Sequence, residues 1–113
     1  MRELIKVFKA LSDETRLRML ELLMDSELCV CEIMQALGIS QSRASRNLGV
    51  LKESGLLVDR RDGQWAHYSI SEAGMKNYSR LFELVNNALN EDKTILRDKE
   101  GLKKAVKKGK VKI

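Results

Sequence analysis

The sequence predicts a mainly α-helical fold carrying a single β-hairpin, and three observations lead there. Apolar residues recur at helical spacing along segments that fill residues 4–54. The period then becomes strand-like on either side of Asp62-Gly63, a strong hairpin turn. Proline is absent from all 113 residues, which favours helices joined by short turns.

Leu4, Ile5, Val7, Phe8 and Leu11 define a first amphipathic helix. Ser12-Asp13 then supplies an N-cap signal, with Glu14 in the first turn of a second helix. That helix carries Leu17, Met19, Leu20, Leu22 and Leu23 and runs to about Met24. Cys31 to Leu37 reads as a short helix with Ile33, Ala36 and Leu37 on one face. Gly38 follows at the position where a left-handed residue is easiest. Ser40 caps a further helix from Gln41 to about Ser54, and Gly55 ends it. Helix, brief glycine-containing turn and second helix make a helix-turn-helix.

Leu56-Leu57-Val58 and Ala66/Tyr68/Ile70 are the two strands of the hairpin, so the class is a winged helix-turn-helix. Ser71-Glu72 caps a long final helix to about Asn90, with Met75, Tyr78, Leu81/Phe82, Val85 and Ala88/Leu89 in a narrow apolar stripe. Beyond Asp92 the chain is Lys-rich and spaced by Gly101 and Gly109, which reads as a mostly mobile tail with at most a weak helix. The expected division is a winged helix-turn-helix domain over residues 1–91 and a tail over 92–113.

The net charge is +5, but residues 93–113 hold nine Lys/Arg against two Asp/Glu. That leaves 12 of the 21 basic and 14 of the 16 acidic residues for the body, which is slightly acidic. Overall basicity therefore says little about nucleic acid, and local residues must carry the case. No apolar run approaches the roughly 20 residues of a membrane span and no signal peptide is seen, so a cytoplasmic protein is expected. In that compartment Cys29 and Cys31, one residue apart, argue against a structural disulfide. Metal binding, redox chemistry and plain burial stay open. There is no Ser/His/Asp set, phosphate loop or paired carboxylates with a neighbouring base, so an enzyme is not expected.

On the Gln41–Ser54 helix, Ala44, Leu48 and Leu51 face the domain, leaving Gln41, Ser42, Arg43, Ser45, Arg46 and Gly49 on the other side. Short polar side chains and arginines near a helix N-terminus suit the major groove, where amides and hydroxyls read base edges and Arg reads guanine or grips phosphate. Arg60, Arg61 and Gln64 beside the hairpin turn are the second set of contacts to double-stranded operator DNA. His67, the sole histidine, is read as a hydrogen-bonded structural residue within a strand. One such module makes few contacts, and a homodimer doubles them over two half-sites. Leu4, Ile5 and Phe8 with Tyr78, Phe82, Val85 and Leu89 are the expected dimer interface.

These segments resemble the ArsR/SmtB family of metal-responsive repressors, in a form close to its arsenic sensors. The resemblance runs from residue 3 to about 89. It rests on Phe8-Lys9-Ala10-Leu11-Ser12-Asp13-Glu14-Thr15-Arg16-Leu17-Arg18, Glu27-Leu28-Cys29-Val30-Cys31-Glu32, Ser40-Gln41-Ser42-Arg43-Ala44-Ser45-Arg46-Asn47-Leu48 and Gly63-Gln64-Trp65-Ala66-His67-Tyr68. It implies a winged-helix dimer that blocks a promoter until a toxic ion releases it. The arsenic sensors continue Cys-Val-Cys-x-x-Cys, giving three thiolates. Here Cys29 and Cys31 match the first two, and Met34, a neutral thioether, holds the third position. Related cadmium/lead sensors add cysteines from an N-terminal extension not expected here. Zinc-type sensors use histidines on the last helix, and residues 71–90 contain none.

Cys29 and Cys31 at a helix start feel its positive end, which favours thiolate. Residues two apart do not share a face of a regular helix, so binding both sulfurs to one ion should distort the turn that positions the reading helix. No cofactor is needed for folding, and the effector expected is As(III), Sb(III) or another soft ion. The alternatives are a redox or sulfide sensor using the same pair, or an architectural DNA-binding protein without effector.

Overall fold

The computed structural model describes residues 1–106. Its elements run α1 (Arg2–Leu11), α2 (Glu14–Leu23), β1 (Leu28–Cys29), α3 (Val30–Leu37), α4 (Gln41–Glu53), β2 (Leu57–Asp62), β3 (Trp65–Ile70), α5 (Glu72–Asn77), α6 (Ser79–Leu89) and α7 (Lys93–Lys104). This is the expected helical winged helix-turn-helix.

Caps set several of the helix starts. Asp13 accepts from the Arg16 amide, and Ser40 and Ser71 accept from the amides of Arg43 and Gly74. Gly38 ends α3 with φ 69°, a left-handed turn that lets α4 leave at a new angle. The core draws Val7 from α1, Met19 and Leu20 from α2, Ile33 from α3, and Leu48 and Leu51 from α4.

The wing is a three-stranded antiparallel sheet in the order β1-β3-β2. Asp62 pairs with Trp65, so the tight connection is Gly63-Gln64, one residue later than the Asp62-Gly63 expectation. Strand β1 was not anticipated. Its two residues face Tyr68 and His67 of β3, which ties the segment carrying Cys29 to the wing.

Three further expectations are corrected. The single long helix from Glu72 to Asn90 is two helices, because Tyr78 (φ −126°, ψ 30°) departs from helical backbone. The kink turns α6 so that Phe82 and Val85 pack within the chain itself, beside Leu11, Leu20 and Leu56. They belong to the protomer's core, not to an open face. Tyr78 and Leu89 are half-buried against that core, whereas Leu4, Ile5, Phe8 and Leu84 stay exposed.

The stretch beyond Asp92 is likewise no mobile tail over Lys93–Lys104. Asp92 caps α7 through the amides of Thr94 and Ile95, and Ile95 and Asp98 are buried. A Cβ at Gly101 would lie 3.3 Å from the Ala36 Cα, so glycine permits the close approach of α7 to α3. Residues 107–113 of the expected tail, Gly109 among them, lie outside the described residues. No helix of the described residues is long and apolar enough to cross a membrane.

Candidate nucleic-acid interface and thiol site

Helix α4 buries Ala44, Asn47, Leu48 and Leu51 and exposes Gln41, Ser42, Ser45 and Arg46, as its periodicity requires. Arg16 anchors it. Its guanidinium donates to the Ala10 carbonyl (2.7 Å), the Lys9 carbonyl (3.2 Å) and the Asn47 side chain (3.0 Å), latching the end of α1 to α4. Asn47 in turn donates to the Arg43 carbonyl. Arg43 is exposed, but its guanidinium donates to the Thr15 hydroxyl at 3.0 Å and is held against α2. Arg46 has no hydrogen bond or ion pair among the described residues.

The two wing arginines part company, because successive residues of a strand point to opposite faces. Arg60 forms a two-pronged pair with Glu27 (Nε–Oε2 2.9 Å, Nη2–Oε1 2.7 Å). Arg61 and Gln64 are exposed, and Arg61 lies on the side that faces α4. Of the predicted reading set, Gln41, Ser45, Arg46, Arg61 and Gln64 thus present open side chains, Ser42 is exposed with its hydroxyl 3.3 Å from that of Ser40, and Arg43 and Arg60 are engaged within the protein.

Cys29 and Cys31 are buried where β1 turns into α3. Cys29 is the helix N-cap with extended backbone (φ −83°, ψ 159°), and Cys31 is in the first turn. The helical rule that separates residues two apart does not govern a pair whose first member is still a strand. The Cα atoms lie 5.3 Å apart and the two sulfurs are joined as a disulfide, which corrects the expectation that adjacency and compartment argue against one. Glu32 closes a capping box around the turn: its carboxylate accepts from the Cys29 amide at 2.9 Å, and its own amide donates to the Cys29 sulfur at 3.4 Å.

A cleft of about 320 Å³ opens beside the pair. Cys29, Cys31 and Met34 line one wall, and Gln41, Ser45 and Arg61 line others, so the thiol site and the exposed face of α4 share one space. Trp65 and Tyr68 of β3 also face it, a contact that no spacing pattern in the sequence signals. Among the described residues no group of three His, Cys, Asp or Glu gathers to hold a metal ion. The donor set fits a soft ion held by two sulfurs once reduced, with a thioether nearby, and does not fit a three-thiolate centre.

His67 faces Cys29 across the sheet and is buried, yet its Nε2 has no hydrogen-bond partner among the described residues, so the expected structural bond is not made at that atom. Asp62 Oδ2 stands 3.9 Å from it.

Residues 13–58 match the model of a family described as bacterial regulatory protein, arsR family. The arsenical resistance operon repressor of Staphylococcus aureus is 30% identical over 87 residues, covering 77% of this chain and 84% of that protein. This chain belongs to the arsR family. The arsenical resistance operon repressor of Escherichia coli is 53% identical over 68 residues, covering 59% of this chain. The match spans 58% of that relative's length. The homodimeric winged helix-turn-helix DNA-binding domain of a possible ArsR-family transcriptional regulator from Mycobacterium bovis superposes with TM-score 0.67 at 37% identity, over 80% of this chain and 81% of that one. These arsR-family relatives are regulators of transcription, not enzymes.

Proposed function

We propose that this arsR-family chain is a homodimeric repressor that binds operator DNA in the cytoplasm through α4 and the wing. A soft thiophilic ion such as As(III) or Sb(III), captured by Cys29 and Cys31, releases it. The observation that carries the reading is the shared cleft: the cysteines stand across one space from Gln41 and Ser45 of α4 and Arg61 of the wing. The names of the E. coli and S. aureus relatives favour arsenic, and the homodimeric M. bovis domain favours two copies.

The physics is linkage. An ion held by both sulfurs pulls on the capped turn between β1 and α3, and α3 sets the start of α4 through Gly38. If the ion-bound turn disfavours the DNA-bound arrangement by about 3 kcal/mol, operator affinity falls roughly a hundredfold. Capture needs both sulfurs as thiolates, so a two-electron reduction of the disulfide by a cellular thiol precedes it.

A second reading is favoured by that same disulfide: oxidation and reduction of the pair is itself the signal. A gel-shift competition separates the two. Reduced protein on a duplex selected from a random library is challenged with As(III), Sb(III), Cd(II), Pb(II) and Hg(II) in turn, and separately with peroxide or persulfide. Release by an ion under reducing conditions supports the first reading, and release by oxidant alone supports the second. Equal binding to every duplex would instead favour an architectural role.

A further inference from the structure

Beyond the predicted reading residues, a cleft of about 730 Å³ lies between α1, the exposed side of α4 and β2. Lys6 and Lys9 enter it from α1, Arg46 and Lys52 from α4, and Arg61 from β2. Two acidic residues join them, Glu53 and Asp59, and Asp59 is taken up by Lys52 at 3.0 Å. Arg16 also lines the cleft, but its guanidinium is spent on the backbone of α1 and on Asn47. Lys6, Lys9, Arg46 and Arg61 therefore face one open space with no hydrogen bond or ion pair to neutralise them among the described residues. Their charge is local, unlike the chain's overall basicity, which residues 93–113 supply.

Helix α1 carries three faces. Val7 and Ala10 are buried, Leu4, Ile5 and Phe8 form an exposed apolar face, and Lys6 and Lys9 lie on a third side at helical spacing. A second copy covering the apolar face would leave the lysines open. The cleft is also continuous with the reading surface, because Arg46 and Arg61 belong to both.

We propose that this cleft is a backbone-phosphate seat, in which Lys6 and Lys9 grip the DNA strand next to the bases faced by Arg46. The inference rests on the DNA-binding reading above. Phosphate contacts of this kind fix register without reading sequence, and each releases counterions, so the salt dependence of binding counts them.

The test is the full chain carrying Lys6→Ala with Lys9→Ala, titrated by fluorescence anisotropy against the selected duplex and a scrambled one between 50 and 300 mM salt (concentrations on the order used to resolve such slopes). The expected result is at least tenfold weaker binding to both duplexes, with the log–log salt slope shallower by about two per protomer. The Lys6→Arg/Lys9→Arg chain should keep the wild-type slope. A Lys→Ala variant with wild-type circular dichroism, wild-type mass by light scattering and an unchanged slope overturns the proposal. If the variant misfolds, the single Lys6→Gln and Lys9→Gln chains decide the same question, each expected to lower the slope by about one. Failure of the wild type to bind any duplex would instead remove the DNA-binding reading, and this inference with it. Inorganic phosphate provides the remaining arm. Millimolar phosphate that shifts Lys6 and Lys9 resonances, with no effect of their removal on DNA binding, would assign the cleft to free phosphate and also overturn the proposal.

Discussion

Arg18 and Asp98, eighty residues apart, meet in a two-pronged ion pair: Nε to Oδ2 at 2.8 Å and Nη2 to Oδ1 at 2.8 Å. Asp98 is fully buried, and its hydrogen bond is the main reason the Arg18 pKa lies above its ordinary value. The pair bolts α7 to α2, and Arg18 also reaches the Leu37 carbonyl at the end of α3. Near the far end of α7, the Gln35 side chain donates to the Val106 carbonyl (2.9 Å), accepts from its amide (3.1 Å) and donates to the Cys31 carbonyl (2.9 Å). Helix α7 is thus fastened across the element that carries Cys31.

Asp98→Ala should cost about 3–5 kcal/mol of stability, because it strands the Arg18 charge in a largely enclosed site. Urea denaturation checks this. Arg18→Met combined with Asp98→Leu should recover most of the loss, since two apolar side chains leave no orphaned charge.

That pair also shows why α7 escaped the sequence reading. Its buried positions are Ile95 and a carboxylate, its close contact is at Gly101, and the rest is rich in lysine, so no apolar stripe marks a docked helix. The helices α1 to α4 were legible because apolar spacing and the caps at Asp13 and Ser40 agree. The break at Tyr78 has no glycine or proline to announce it. Strand β1 is too short for alternation to appear, and missing it hid the extended backbone of Cys29 that brings the two sulfurs together. Arg43 and Arg60 were legible as cations on the right elements, but their partners, Thr15 and Glu27, lie 28 and 33 residues away.

Arg46 and Arg60 should separate in binding assays. Arg46→Ala should weaken the selected duplex by about 1–3 kcal/mol, measured by anisotropy at fixed salt, with the circular dichroism unchanged. Arg60→Ala removes a side chain already occupied by Glu27 at the surface, and should leave stability and affinity close to those of the wild type in the same assays.

The apolar face of α1 should be the surface that a second copy covers. Ile5→Asp or Phe8→Asp should yield folded monomers by light scattering, with operator binding lost. Phe82→Asp should behave differently and unfold the protomer, because it places a charge inside the core. Folded dimers of the Phe8→Asp chain would move the interface elsewhere.

Glu21 sits 1% exposed with neither carboxylate oxygen hydrogen-bonded among the described residues, and burial raises its pKa above the usual 4.5, opposed by Lys99 and aided by Asp25. The folded chain then holds this proton more tightly than the unfolded chain. Stability from this site is fullest below pH 4.5 and falls as pH rises through the raised pKa. Glu21→Gln should raise the melting temperature at pH 7, and the advantage should shrink as the pH is lowered towards 4.5.

The most direct measurement follows operator anisotropy while As(III) is added to reduced wild-type protein, to the Cys29→Ser/Cys31→Ser chain and to Met34→Cys. The account predicts release of the wild type, continued binding by the double serine chain at every As(III) concentration, and release of Met34→Cys at lower As(III), since a third thiolate completes the coordination a trivalent ion prefers. Release of the double serine chain at the same As(III) concentration as the wild type would contradict it, for the cysteines would then be packing alone.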